Sequence, residues 1–409
     1  MGGRGDPGRP STRKRRRFGY VRRMASGRWQ ASYLAADGTR HLAADTFPSK
    51  GAADRWLRSV EEELERGEWS DPRLRRLSFG DWAEEWLETT IHLRGKTREN
   101  YESILRNHLL PAFGDVEIGR LDQLTVRRWL AEVADSGRSP KTVANIRQVF
   151  SLVMDCAVGS GALRVNPCLG LKVARGARQE MHFLTPEQVS ELADEVENPP
   201  VRSGGGEHRR ETYPEYGLLV RLAAWTGLRA GELAALRCSR IDLLHGHLEV
   251  AESASEVHGK LEYGPTKTYE RRTVPLTATI RDALDKHLQT LPGGDAFVFP
   301  GPDGGALRHK NWYSRHFKPA VKRAGLDGVR FHDLRHTYAG FLIAQGAHPR
   351  AIMERMGHSS ITVTLNTYGH LLPKIDEALT DGLEEMYQSA EAQRPARQRA
   401  PVVPLPERR

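Results

Sequence analysis

The sequence predicts a multidomain protein, mostly α with small β elements. At 409 residues the chain is long enough for two or three domains, each with its own core. From Ser78 to about Lys172 apolar residues recur at helical spacing and no run alternates as a strand would. Strand-like runs are confined to two short regions, Arg28 to Phe47 and Leu248 to Leu276.

In the first of these, Arg28-Trp29-Gln30-Ala31-Ser32-Tyr33-Leu34 alternates large and small residues, Asp37-Gly38 signals a turn, and a second run reaches Phe47. Pro48-Ser49 then introduces a helix with Ala52, Ala53, Trp56, Leu57, Val60 and Leu64 on one face, which gives a ββα-type module over residues 19–69. After a linker at Ser70-Asp71-Pro72, four helical patterns make a bundle over residues 77–172. They carry Phe79, Trp82 and Trp86, then Tyr101, Ile104 and Leu105, then Val126, Trp129 and Leu130, then Val143, Ile146, Phe150 and Val153. Thr97, Thr125 and Ser139-Pro140 punctuate the last three. A mixed α and β domain, residues 180–388, opens on a capping box at Thr185-Pro186-Glu187-Gln188. Asn198 to Glu211 reads as a polar loop, and residues 1–18 and 390–409 read as disordered tails.

The formal net charge of +9 is concentrated at the ends. Nine basic residues stand against Asp6 alone from Met1 to Arg23, and five arginines against two glutamates from Glu391 to Arg409, so the body is close to neutral. A nucleic-acid surface on the folded part therefore has to be argued from motifs rather than from pI. No apolar run approaches the roughly 20 residues of a membrane span, and the basic start is unlike a signal peptide, so a cytoplasmic, DNA-associated protein is expected. Cys156, Cys168 and Cys238 are too scattered for a disulfide framework or a zinc site. Gly95-Lys96-Thr97 lacks the glycine five residues earlier that a phosphate-binding P-loop requires, because Thr90 stands there.

Polar residues at element ends carry the chemistry. Arg229, in Thr226-Gly227-Leu228-Arg229-Ala230-Gly231-Glu232-Leu233, falls at a helix N-terminus, where guanidinium and backbone N–H groups can face an anion together. Lys267 lies between Gly264-Pro265 and Arg272-Thr273-Val274-Pro275-Leu276, which reads as a hairpin with the lysine near its turn. His332 and Arg335 are three apart in His332-Asp333-Leu334-Arg335-His336-Thr337 and share a helix face away from the buried stripe. Met356-Gly357-His358-Ser359-Ser360 opens a further helix, and Tyr368 follows in Asn366-Thr367-Tyr368-Gly369-His370. Singly, each is as well explained by an ordinary structural role.

The ordered set resembles the tyrosine recombinases, or phage-type integrases, through Thr-Gly-Leu-Arg-x-Gly-Glu-Leu, Leu-Arg-His-Thr, Met-Gly-His-Ser and Tyr-Gly-His. The likeness is sharpest from Thr185 to Tyr387. Upstream, the helical segment looks like the family's core-binding (SAM-like) domain and residues 19–69 like the arm-binding domain of integrases of the phage lambda type. The resemblance implies that Arg229, Lys267, His332, Arg335 and His358 surround a scissile phosphate and that Tyr368 is the nucleophile. It implies double-stranded DNA as partner, at core and arm attachment sites, and a DNA-bound homotetramer in which the helix carrying Ile375, Leu379, Leu383 and Met386 docks on a neighbouring protomer. An excisionase and a DNA-bending protein are further expected partners. Two alternatives stand beside the integrase: a Xer-like dimer resolvase, and a catalytically silent DNA-binding protein.

Physical chemistry supports these roles. Two arginines offering bidentate hydrogen bonds favour the added charge of a pentacovalent phosphate. Lys267 would protonate the leaving 5′-oxygen, His332 would take or orient the phenol proton, and His358 would donate to a phosphate oxygen. A 3′-phosphotyrosine stores the bond energy, so neither ATP nor a metal cofactor is needed. Glu232 and Asp333 are expected to brace the neighbouring arginine and histidine rather than to bind Mg²⁺.

Overall fold

The computed structural model describes residues 18–35, 38–174, 176, 180–200, 212–266, 271–369 and 375–392. The tails, the polar loop from residue 201 to 211 and Lys267 lie outside them. The chain divides into two compact units, residues 1–178 and 179–409.

The first unit opens with a small sheet of three strands, one more than the ββα-type pattern counts. β1 (Tyr20–Arg23), β2 (Trp29–Leu34) and β3 (Arg40–Leu42) pair antiparallel in chain order. Ala31 and Tyr33 of β2 face α1 (Lys50–Glu65), whose Ala53, Leu57 and Val60 close a small core with them. Ser49 caps α1 by accepting from the Ala52 N–H. The bundle that follows consists of α2 (Phe79–Thr89), α3 (Gly95–Ile104), a π-turn into the short α4 (Leu110–Phe113), α5 (Gln123–Asp135) and α6 (Pro140–Gly159). Ser78 and Asp81 form a capping box on α2, and Ser139 caps α6 ahead of Pro140. At α5 the cap is Asp122, with Thr125 supplying the N–H it accepts, so the helix starts one turn earlier than Thr125 suggests. Phe79, Phe113, Trp129 and Phe150 meet inside this bundle, Phe113 stacked on Phe150 and the other pairs edge-on.

The second unit begins with the expected capping box, in which Thr185 and Gln188 bond reciprocally at the start of α7 (Pro186–Glu197). α8 (Pro214–Thr226) packs on it, and α9 (Ala230–Ala234) follows after a sharp break. β4 (Ile241–Asp242), β5 (His247–Val250), β6 (Glu252–Val257), β7 (Lys260–Pro265) and β8 (Arg272–Pro275) come next. Their pairing departs from the sequence reading, because the strands flanking Lys267 do not form a hairpin with each other. β7 pairs with β6 across His258-Gly259, both at positive φ as a two-residue hairpin turn requires, while β8 pairs with β5 and buries Val274 against Leu248.

Helices α10 (Ala278–Leu288), α11 (His309–Trp312), α12 (Lys318–Arg323), α13 (Phe331–Ala344), α14 (Pro349–Met356), α15 (Ile361–Tyr368) and α16 (Ile375–Ala392) follow among the described residues. Val189, Leu219, Leu222, Leu248, Val274, Leu284, Phe317 and Leu334 meet in one core. No helix among the described residues is long and apolar enough to cross a membrane.

The break between α8 and α9 depends on Gly227, which ends α8 at φ 66°. A Cβ there would stand 2.4 Å from the Tyr338 ring. Gly227→Ala therefore combines a left-handed backbone with overpacking, and a loss of about 1–3 kcal/mol is expected in denaturant unfolding.

Candidate active site

The site is built where α9, α13, α14, α15 and β8 meet. Arg229 is the N-cap residue of α9, but its backbone N–H does not await an external anion: it donates to Glu232 Oε2 at 2.9 Å. Its guanidinium donates to Glu232 Oε1 at 2.8 Å and to the Gly357 carbonyl at 2.9 Å, and the side chain stays 24% exposed. Glu232 is almost wholly buried, and Arg272 of β8 grips the same carboxylate with both terminal nitrogens, at 3.0 and 2.6 Å. Arg272 Nε donates to the Arg355 carbonyl at 3.1 Å, which ties β8 to the end of α14. Burial alone would raise the Glu232 carboxyl, but the hydrogen bonds and charges of Arg272 and Arg229 take it down to about 2.

Arg335 is buried at 3% exposure rather than lying on a polar face, because its guanidinium donates to the carbonyls of Gly227 and Met356. Both carbonyls sit at helix C-termini, where partial negative charge favours a cation. Burial, with Arg229 close by, draws its pKa down to about 9, so it still carries its charge at neutral pH.

Tyr368 ends α15 and is 2% exposed, packed with Tyr338, Ile343, Ile352 and Met356. Its Oη lies 2.8 Å from His336 Nδ1. Burial pushes the phenol up to about 12 even though Arg335 and Arg229 pull the other way, so it is protonated in the free protein. His358 Nδ1 stands 2.8 Å from the Thr364 hydroxyl, and its ring lies parallel to that of Tyr368 at 6.3 Å. Burial and then the charges of Arg335 and Arg229 take His358 down to about 3. His332 opens to solvent, yet the protein packed around it and its neighbours His336 and Arg335 lower it to about 4. Its ring meets His336 edge-on at 4.8 Å, and among the described residues no hydrogen bond joins it to Tyr368.

The structure thus brings together Arg229, His332, Arg335, His358 and Tyr368, while Lys267 lies outside the described residues. Glu232 braces Arg229 as expected. Asp333 does not brace His332: both its oxygens are taken by Arg330, at 2.7 and 3.0 Å. Two site residues escape the sequence reading, Arg272 and His336. The signals were present, since Arg272 is two positions from buried Val274 on its strand and His336 one turn after His332 on its helix.

Comparison with known proteins gives the same outline. Residues 182–374 match the phage integrase family, 17–66 the phage integrase N-terminal domain, and 78–134 the phage integrase N-terminal SAM-like domain. A protein named as a prophage phiRv2 integrase of Mycobacterium tuberculosis is 31% identical over 395 residues, 93% of this chain and 98% of that one. The Tn1549 transposon integrase, solved with a circular intermediate DNA, shares the fold at a TM-score of 0.63 and 20% identity, over 75% of this chain and 99% of that one. The lambda integrase tetramer bound to a Holliday junction does so at 0.55 and 20% identity, over 86% and 98%.

Glu232 titrates near 2 in the folded chain against an ordinary 4.5, so its contribution is present above about pH 4.5 and is lost as pH falls toward 2. That difference corresponds to about 3 kcal/mol. Calorimetry of Glu232→Gln should show a destabilisation of this order at pH 7 that narrows against wild type on acidification; an unchanged gap would show that the ion pairs are not its source.

Proposed function

Since the chain belongs to the phage integrase family, we propose that the cluster around Tyr368 is the site with which it cuts and rejoins DNA. The chain is a tyrosine-type site-specific recombinase, an integrase of a phage or other mobile element. The observation that carries the site assignment is the meeting of one buried phenol, two arginines and three neutral histidines from α9, α13, α15 and the turn after α14.

In this reading the free N–H groups of Arg229 and the guanidinium of Arg335 hold the non-bridging oxygens of the scissile phosphate and stabilise the charge that develops on them. Tyr368 attacks phosphorus to give a 3′-phosphotyrosine, and Lys267 protonates the departing 5′-oxygen. A 5′-hydroxyl of a second strand reverses the step, so no ATP is consumed. His358 donates to the phosphate from Nε2. With its ring neutral, that requires Nδ1 to accept from the Thr364 hydroxyl, and the two atoms stand 2.8 Å apart. His332 lies against His336 and orients the histidine face of α13. Both carboxylates beside the motifs are held by arginines, Glu232 by Arg229 and Arg272 and Asp333 by Arg330, which leaves this set poorly suited to a metal.

The N-terminal module, residues 19–69, would read arm sites, and the bundle of residues 77–172 would grip the core site together with the catalytic domain of residues 180–388. Four protomers would assemble on DNA through α16, where Leu383 and Met386 are 65% and 71% exposed. A bending protein and an excisionase would set direction. Phosphate contacts make binding steeply salt-dependent.

Covalent trapping tests the reading. With nicked suicide duplexes tiled across the DNA flanking its gene, and with neither metal nor ATP, wild type should give an adduct stable on a denaturing gel. Tyr368→Phe should bind the same duplex and give none; an adduct from that variant would remove Tyr368 from the role. Thr364→Val should lower the adduct-forming rate by roughly 10- to 100-fold with binding unchanged, the scale seen when the partner that orients an imidazole is lost, while Thr364→Ser should retain activity. Equal rates for Val and Ser would show that the tautomer is set elsewhere.

A further inference from the structure

We propose that His336, rather than His332, is the catalytic base that receives the Tyr368 proton as the phenol attacks DNA. The proposal rests on Tyr368 being the nucleophile. A general base must stand within hydrogen-bond reach of the proton it takes, and His336 Nδ1 is 2.8 Å from Tyr368 Oη. His332 sits one turn earlier on α13, with the His336 ring as its aromatic neighbour and no hydrogen bond to the phenol.

The contact is preorganised from both sides. Arg335, just before His336, is pinned by the carbonyls of Gly227 and Met356. Thr337, just after it, donates to the Asp333 carbonyl at 2.9 Å and accepts the Leu184 N–H at 3.0 Å. With both neighbours anchored to other elements, the backbone of His336 has little room to shift. The Tyr368 ring is fixed in turn by the apolar cluster around Met356 and Ile352. The charged and titratable groups facing His336 are Asp333, Arg330, Arg335, His332 and Tyr368. Asp333 and Arg330 are paired with each other and Arg335 with carbonyls, so none competes for Nδ1. Burial disfavours the imidazolium, which leaves the neutral ring that can accept a proton.

The step balances without a further reactant. The Tyr368 O–H bond breaks and its proton passes to His336 Nδ1, the Oη–P bond forms, the P–O5′ bond breaks, and the 5′-oxygen leaves with a proton from Lys267. In rejoining, the incoming 5′-hydroxyl returns a proton to Lys267 while His336 gives its proton back to the departing phenol. Because the phenol holds its proton more tightly than the imidazole does, transfer accompanies Oη–P bond formation rather than preceding it.

Single-turnover adduct formation on the suicide duplex, with full-length wild type, His336→Asn, His336→Ala and Tyr368→Phe, tests this, with gel retention as the check on folding and binding. Asparagine places an amide near the Nδ1 position, where it can accept a hydrogen bond but cannot keep a proton. Both His336 variants should bind as wild type does and lose about 10²- to 10⁴-fold in rate, the usual worth of a general base. Added imidazole should restore His336→Ala and leave His336→Asn impaired. A rate for His336→Asn within about threefold of wild type overturns the proposal, since a general base is worth far more. So does a rate above wild type, which would make His336 a latch on the nucleophile. A loss that imidazole leaves untouched in His336→Ala also overturns it, because the histidine would then be structural. In each of these cases a Tyr368-dependent wild-type adduct keeps the site assignment; wild type without any adduct takes both down together.

Discussion

The buried carboxylate of Glu232 is the constraint on which the arrangement of the arginines depends. It lies on a helix of five residues, too short to hold its own position through helical hydrogen bonds, yet it joins that helix to a strand and, through Arg272, to the end of α14. A carboxylate removed from water costs several kcal/mol unless its lone pairs are filled. Here two arginines and a backbone N–H fill them. The consequence for chemistry is that the cluster keeps one positive charge beyond neutrality, and the more exposed of its two arginines, Arg229, is the one left facing outward.

The second arginine is held by a different device. Two helices, α8 and α14, end on left-handed glycines, Gly227 and Gly357, and the turn each glycine permits leaves helix-end carbonyls directed at neighbours. The Gly227 and Met356 carbonyls take Arg335, and the Gly357 carbonyl takes Arg229. Neutral oxygens orient a guanidinium without cancelling its charge, whereas a second buried carboxylate on Arg335 would have. For the phosphodiester site proposed above, this choice would leave both arginines fixed before substrate arrives and the net field positive.

How much of this was legible in the sequence follows from which interactions are local. The capping box at Thr185, the bundle helices with their apolar stripes, and the positions of Arg229, His332, Arg335, His358 and Tyr368 near element ends rest on spacings of three or four residues. Strand pairing is not local. Whether β8 joins β7 or β5 is decided by the His258-Gly259 turn and by burial of Val274 on Leu248, and alternation alone does not choose between them. The burial of Arg335 is set by non-local contacts as well. Its i, i+3 relation to His332 suggests a shared polar face, while its long side chain reaches carbonyls 108 and 21 residues away. Of the adjacent Arg271 and Arg272, only the strand period identifies the inward one, and the structure agrees: their side chains are 66% and 8% exposed.

The protonation states divide the labour within the site. Burial, reinforced by the charge of Arg335, keeps the three histidines neutral. A neutral imidazole can accept a proton through one nitrogen and donate through the other, so on the proposed reading the same electrostatic field that would draw a phosphate also prepares the rings for proton transfer. The phenol is set against premature reaction by the same burial, which outweighs the arginines and keeps it protonated near pH 7. An incoming phosphate reverses none of this by itself. On the proposed reading it adds an electrophile beside an oxygen that already stands 2.8 Å from His336 Nδ1, so bond formation at phosphorus is what would release the proton.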